Sequence, residues 1–511
     1  MVAQREVTDA PLIADDGRYA VIRMRSQDRD RLEKHLFQRY PKREWGTFFQ
    51  FGYRRTSWGI ALTYVQPILP EPGDLDRRSE LTVFKDQYTL RAMRVAERRQ
   101  LAVGTAHSHP SGFRVRPSWL DDDMDAYFSR EIAMYGAGMP YLSLIFQRDD
   151  RGNFTFSGRV HDKGQWLAVK TLYTAGDDLK AEEAQGWFSG RVIGMTPGNS
   201  ESTTARLDEL IGMQRADRLR RSAVGVIGCS GTGSPAIEVL ARAGVGTFVL
   251  VDPQRISPSN LERMHGAYDS DITQPLLPYK VEILRRHILA INPKANVTIF
   301  VGNLLHDNVL DELLRCDVLL GCTDSSHGRV ALSDIAKHFL LPSIDVGVDM
   351  SGADGQITNQ LADFTTYSPD SPCVFCYGLI NSTHLAIELM TDNERAIRIK
   401  AAQDAGLRGD NPDHYWSGPR QIHTVGYLTG AIGSLAAGYV EGWLTGAFRM
   451  PYDAFQIDVG RPGFGFTPTT ARSHDCECKT HLGWSDQARM FRNVARPQHW
   501  PARALLLRGG T

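Results

Sequence analysis

At 511 residues the chain is too long for one ordinary core, and about two to four domains are expected. Its 42% hydrophobic and 23% charged content is that of a soluble globular protein. A formal net charge of −1 and a pI near 7.0 give no reason to expect nucleic acid or an anionic membrane as an obligatory partner. The seven cysteines, an odd count clustered late in the chain, argue against a secreted disulfide framework.

The opening residues lack a basic patch followed by an apolar run, so no signal peptide is expected and the chain is placed in the cytosol. From about Tyr19 to Val169 short β-rich runs (Thr47–Arg55, Trp58–Val65, Tyr141–Arg148, Phe154–Val160) mix with helical stretches. That pattern predicts an α+β domain with antiparallel strands over residues 1–170.

The most specific signal in this part is HSHPSGFRVRPSWLD, residues 107–121. Two histidines at i and i+2 of an extended segment point the same way, so both imidazoles can meet one ion. A carboxylate a dozen residues later can return from a following helix. Two histidines and one carboxylate form an open catalytic zinc site with a fourth position for water. Zinc lowers the pKa of such a water from about 15.7 to about 7. A general base must then lie within reach of that water.

HSHP followed by a PSxxD segment resembles the JAMM family of zinc isopeptidases. The upstream REWGTFFQFG run, Arg43–Gly52, resembles that family's glutamate-bearing segment. The resemblance implies that His107, His109 and Asp121 bind a catalytic zinc, that Glu44 shuttles the proton, and that Ser118 hydrogen-bonds the oxyanion. The gap from His109 to Ser118 is one residue longer than the family pattern, and Asp121, Asp122 and Asp123 stand in a row.

Residues 171–204 read as a linker, because KAEEAQGW is charged and MTPGNSESTT is polar and turn-forming. From Ala223 the pattern changes. A buried apolar strand, Ala223–Gly228, enters a Gly-rich turn and a helix, and a second strand, Thr247–Asp252, follows. Helix Lys280–Asn292, strand Val297–Gly302, a further helix and strand Cys316–Cys322 come next. Strands alternating with helices predict an α/β, Rossmann-like, doubly wound parallel sheet over residues 205–480. The apolar stretch Val425–Met450 is interrupted by Glu441 and rich in Gly and Ala, which predicts a buried helix with close neighbours and not a membrane span.

Gly228, Ser230, Gly231, Gly233 and Ser234 form a loop whose backbone N–H groups can approach phosphates at a helix N-terminus. Asp252 ends the next strand, where a carboxylate can hold ribose hydroxyls. These two features also suit an enzyme using NAD. Asn260-Leu261-Glu262-Arg263, Lys280 and Cys322-Thr323-Asp324 separate the readings. Arg263 and Lys280 can neutralise a triphosphate in adenylyl transfer, and Asp324 can hold magnesium.

Together these residues resemble the ThiF/MoeB and ubiquitin-activating family, with Ser230 where the family usually has glycine. The resemblance implies ATP and Mg2+ as cofactors, homodimer formation, and an arginine, Arg206, donated to a partner subunit. It also implies a structural zinc held by Cys373, Cys376, Cys476 and Cys478, a closed site with no position for chemistry. Between Cys376 and Cys476 there is no cysteine to form a thioester, and Cys229, Cys316 and Cys322 read as packing residues.

Residues 481–511 read as a C-terminal tail ending in LRGGT, which resembles the diglycine end of ubiquitin-like proteins or is simply a frayed terminus. The two resemblances imply one enzyme that adenylates the C-terminus of a Gly-tailed ubiquitin-like protein and cleaves peptide or isopeptide bonds there, with a separate conjugating enzyme as a further partner. Alternative expectations are sulfur-carrier activation through a thiocarboxylate, and an adenylating fold that only binds the ubiquitin-like protein.

Overall fold

The computed structural model describes residues 13–507 apart from 15, 76–82, 112–114, 136–137, 149–151, 177, 186–202, 407–423, 449–452, 461–464, 467–475 and 492–499. Residues 112–114 of the HSHP segment, most of the expected linker and the Arg508–Gly510 end lie outside the described residues.

The first eight strands are β1 (Tyr19–Arg25), β2 (Gly46–Thr56), β3 (Gly59–Ile68), β4 (Ala102–Ser108), β5 (Tyr141–Arg148), β6 (Phe154–Asp162), β7 (Gln165–Ala175) and β8 (Leu179–Glu183). They pair in the order β1-β3-β2-β4-β5-β6-β7-β8, and β1 also pairs with β7, so the sheet closes on itself. Most neighbours are antiparallel, as the sequence predicts, but β1 runs parallel to both β3 and β7, and β4 runs parallel to β5. Strands β1 to β7 fill the interior with residues such as Ala20, Ile22, Phe49, Phe51, Leu62, Leu142, Leu144 and Leu172.

The expected linker begins too early. Residues 171–175 complete β7, and Leu179–Glu183 adds β8 at the sheet edge. The physical reason is that an edge strand keeps one row of backbone groups and one face in water, so a charged run such as LKAEE satisfies it.

The second sheet comprises β9 (Ala223–Ile227), β10 (Thr247–Val251), β11 (Asn296–Val301), β12 (Val318–Gly321), β13 (Ser343–Ala353), β14 (Gln356–Tyr367), β15 (Ala454–Asp458), β16 (Gly465–Phe466) and β17 (Leu505–Leu507), in the order β16-β15-β14-β13-β12-β9-β10-β11-β17. Strands β9 to β13 are parallel, and both flanks are extended by antiparallel strands. From β9 the chain winds outward through β10 and β11, then returns to β12 on the other side. The switch point of the sheet therefore lies between β9 and β12, where ligands of such sheets bind.

The helix Gly426–Thr445 lies against the helix Gly233–Arg242, and a Cβ on Gly433 would meet Thr232 O at 2.5 Å. The small residues are there for that close approach, as expected. No described helix is long and apolar enough to cross a membrane.

The two sheets share packing. Val21, Trp58 and Ala61 from the first cluster with Leu310, Leu313 and Leu319 from the second, and Ala175 and Leu179 join Leu219 and Val224. Arg23, 2% exposed, donates to the carbonyls of Leu314 and Cys316 at 2.8 Å each. Residues 481–491 are not a loose tail but a strap between the halves: Thr63 Oγ1 lies 2.7 Å from Ser485 Oγ, and Gln487 Oε1 accepts from Tyr53 N at 2.8 Å. Gly52 is required there, because a Cβ would lie 2.3 Å from Gly483 O.

Candidate active sites

Strand β4 carries His107 at its end, and the ladder to β2 places His107 opposite Gly46. The pairing continues beyond the strand, with Ser108 N donating to Trp45 O at 3.0 Å and Trp45 N to Ser108 Oγ at 3.2 Å. Glu44 directly precedes this pairing, and its charge acts on His107. Asp121 arrives from the first turn of the helix Trp119–Tyr135, with Oδ1 3.1 Å from His107 Nε2 and Oδ2 3.4 Å from His109 Nε2. All three side chains are buried, and their ligand atoms lie within 4.8 Å of one another.

His107 Nε2 is a buried atom with no hydrogen-bond partner among the described residues, despite the nearby carboxylate. An orphaned imidazole nitrogen facing a second histidine and an aspartate fits a metal ion. Burial opposes protonation of His107, but the charges of Asp121, Glu44 and Asp125 outweigh it and raise its pKa to about 9. Burial likewise disfavours the Asp121 carboxylate, and His107, His109 and Ser118 overcome it, holding the group far below the usual carboxylate range.

Only the first of the three consecutive aspartates faces the histidines in this way. Asp122 accepts from Arg159 Nη1 at 2.6 Å, and Asp125 from Arg159 Nε at 2.7 Å. Ser118 precedes the helix and donates through both N and Oγ to Asp121 Oδ2, at 2.6 and 2.7 Å. It therefore orients the Asp121 carboxylate while standing beside the site. Arg159 was not singled out in the sequence. Its signal is a lone cation inside the alternating strand β6, where a buried charge demands buried carboxylates.

In the second domain Gly228 has φ +92°, and a Cβ on it would meet Cys322 O at 2.4 Å. A Cβ on Gly233 would lie 2.0 Å from Gly228 O. These two glycines make the tight turn from β9 into the helix Gly233–Arg242. Ser230 holds no positive φ, so the serine in place of glycine introduces no backbone strain. Its carbonyl accepts from Ser234 N at 2.8 Å, and Ser234 Oγ accepts from His265 N at 2.9 Å.

Asp252 directly follows β10, is buried, and receives Cys229 N and Gln254 N at 2.8 Å each. Burial raises its pKa, Lys280 and the two N–H groups oppose that, and Asp324 adds like charge. Asp324 is exposed and follows β12, across the switch point from the loop. Lys280, buried, donates from Nζ to Gln254 Oε1 at 2.6 Å. Gln254 is a residue the sequence reading missed. It stands two positions after the acidic strand end, where a polar residue turns back toward the site.

Arg263 lies across the loop, because a Cβ on Gly231 would be 2.9 Å from its Cδ. Its Nη1 donates to Ser259 O and Glu262 Oε1 at 2.8 and 2.7 Å. Asn260 is engaged in the turn that carries Arg263, with Oδ1 accepting from Ser257 N at 3.0 Å. Arg206 is exposed on the helix Ala205–Ile211.

The four late cysteines converge. Cys373 and Cys476 sulfurs lie 3.5 Å apart, Cys376 and Cys478 3.9 Å apart, and all four are within 4.8 Å. These separations exceed the roughly 2.05 Å of a disulfide and suit four thiolates around one ion. Burial pushes the thiols of Cys229, Cys316 and Cys322 well up, so none is a ready thiolate.

The ThiF family model matches residues 203–480. Over 171 residues the chain is 30% identical to the "Adenylyltransferase and sulfurtransferase UBA4" of Vanderwaltozyma polyspora, covering 34% of this chain and 37% of that protein. Over 170 residues it is 31% identical to the "SAMP-activating enzyme E1" of Haloferax volcanii, covering 33% and 58%. The chain thus spans between 37% and 58% of the length of these two relatives. Among solved structures, E. coli MccB with MccA-N7isoASN aligns over 55% of this chain and 75% of that chain, with 18% identity and a TM-score of 0.42.

Proposed function

For a chain that belongs to the ThiF family, we propose a two-site enzyme that activates the C-terminus of a ubiquitin-like protein and cleaves bonds made through that C-terminus. The activating half is carried by the gathering of the Gly228–Gly233 loop, Arg263, Lys280, Asp252 and Asp324 around one switch point. ATP bound there would rest its phosphates on the loop N–H groups. Arg263 and Lys280 would offset the charge that develops as a terminal carboxylate attacks the α-phosphate, forming the acyl-adenylate and releasing pyrophosphate. Asp252 would take the ribose hydroxyls, and Asp324 would hold magnesium, which supplies charge neutralisation to the phosphates.

The cleaving half rests on the convergence of His107, His109 and Asp121, with the charge of Glu44 acting on His107. Zinc held by those three residues would supply Lewis acidity and acidify water. Glu44 would accept the proton of the attacking water and return it to the leaving amine. Ser118 would position Asp121 and face the oxyanion. The Cys373, Cys376, Cys476 and Cys478 set would hold a second, structural zinc.

Two relatives bear on the substrate. One is named for adenylyl and sulfur transfer, and the other for activating a SAMP. A sulfur-carrier substrate is the second reading, and one observation favours it. None of the three cysteines outside the four-sulfur cluster is a ready thiolate, so the adenylate would pass to an acceptor outside this chain. Arg206 would act across a homodimer, and sedimentation equilibrium at the monomer mass would dismiss that role.

ATP–pyrophosphate exchange with Gly-Gly-tailed candidates, run beside cleavage of their C-terminally extended forms, tests the reading. Exchange should vanish in Asp324→Ala alone and cleavage in Glu44→Ala alone. Absence of exchange with every candidate would reduce the second domain to a binding module.

A further inference from the structure

Arg329 lies one turn past Ser325, the cap of the helix Ser326–His338, with its N–H on the Ser325 carbonyl at 3.3 Å. Its guanidinium is pressed against β13, where a Cβ on Gly347 would lie 2.3 Å from Nη2. The carboxylate oxygen beside it, Asp345 Oδ2, is 3.6 Å from Nη1, too far for a hydrogen bond. The head group therefore makes no hydrogen bond among the described residues, and the side chain is 19% exposed. Asp345 is 2% exposed, with Oδ1 unpartnered among the described residues. A guanidinium carries five donors in a rigid fork that matches a carboxylate, and here the fork is fixed but unfilled.

Strand order says which substrate the fork faces. The phosphate loop follows β9, Asp252 follows β10, and Arg263 and Lys280 serve that side. Asp324 follows β12, and Arg329 abuts β13, on the opposite side of Asp324 from the loop. The charges of Asp345, Asp363 and Asp324 all act on Arg329. A carboxylate approaching from the β13 side meets those acids and needs a fixed cation among them.

We propose that Arg329 binds the terminal carboxylate of the protein substrate and presents it to the nucleotide from the β13 side; this rests on the adenylating reading above. Gly347 is then required to be glycine, because a side chain there would displace the fork. Arg329 thus becomes a substrate-binding residue distinct from the nucleotide set.

The experiment uses the full chain with a non-hydrolysable ATP analogue and a fluorescein-labelled dodecapeptide ending in free Leu-Arg-Gly-Gly. The same peptide with a C-terminal amide is the control. Wild type should bind the acid over the amide. Arg329→Gln, which retains an amide donor toward Asp345, should weaken the acid by roughly tenfold or more and abolish the preference. Arg329→Lys should restore part of it, and both variants should bind the analogue as wild type does. Equal binding of acid and amide by wild type, a preference that survives in Arg329→Gln, or an equal loss of analogue affinity in that variant would each overturn the assignment. Failure of wild type to bind the analogue at all would instead remove the adenylating reading, and this proposal with it.

Discussion

Gly46 and His107 are register partners across the antiparallel pair β2–β4, and the ladder runs on through Trp45 and Ser108. That register delivers Glu44 to the histidines, because a slip of one residue would turn the whole strand to its other face. Glu44→Gln keeps the shape and removes the base. We expect cleavage of a C-terminally extended ubiquitin-like protein to fall roughly 10²–10⁴-fold with zinc content and pyrophosphate exchange unchanged. Retained cleavage in this variant would exclude Glu44 as the base.

Zinc analysis of the purified chain should find two ions, one for each convergent ligand set. Cys476→Ser should leave one and lower Tm by roughly 10 °C or more. The loss should reach the first domain, because Cys478 is closely followed by Gly483 and Ser485, the strap residues that hold Thr63. His107→Gln should also leave one ion, the four-sulfur one, so spectra of a cobalt-substituted sample distinguish the two losses. Two ions in Cys476→Ser would reject the four-cysteine site.

Much of this was legible in sequence because the chemistry needs short, contiguous signatures. His107 and His109 share one strand end, and Gly228 to Ser234 share one turn. What was not legible depends on partners far apart in the chain. Strand β1 is buried on both faces: Ala20, Ile22 and Met24 fill the barrel, while Val21 and Arg23 meet the second domain. Composition shows such a strand only as apolar, so the two domains read as separated by a linker. Leu505–Leu507 read as a tail because three residues carry no period, yet they pair with Ile299, Phe300 and Val301. Arg329 escaped because its meaning lies in Gly347 and Asp345 on a neighbouring strand.

Arg54 joins the halves, with Nη2 3.0 Å from Asp307 Oδ1, Nε 2.8 Å from Asp311 Oδ1 and Nη1 2.8 Å from Asp486 Oδ2. Its side chain is 10% exposed, so Arg54→Ala would leave carboxylates facing one another near a dry interface. Asp307 is 61% exposed and stays hydrated. We therefore expect a loss on the order of 2–3 kcal/mol, below the ~3–5 kcal/mol for breaking a fully buried pair. Because the halves share packing, chemical denaturation should remain one transition in wild type and separate into two in the variant. A single unshifted transition would show that the contact is incidental.

Glu441 sits in the helix Gly426–Thr445, and burial alone pushes its carboxyl from the usual 4.5 to about 7. Below 4.5 the group is protonated in both folded and unfolded chains and has no effect on stability. As pH rises from 4.5 toward 7 the unfolded chain ionises first, so stability is lost, and the full penalty stands above 7. Its size is on the order of 3 kcal/mol. Glu441→Gln should therefore leave stability nearly unchanged at pH 4.5 and raise it by about that amount at pH 8, measured by urea unfolding at both values. Equal effects at the two pH values would mean that the Glu441 carboxyl titrates alike in the folded and unfolded chains, so that burial does not raise its pKa.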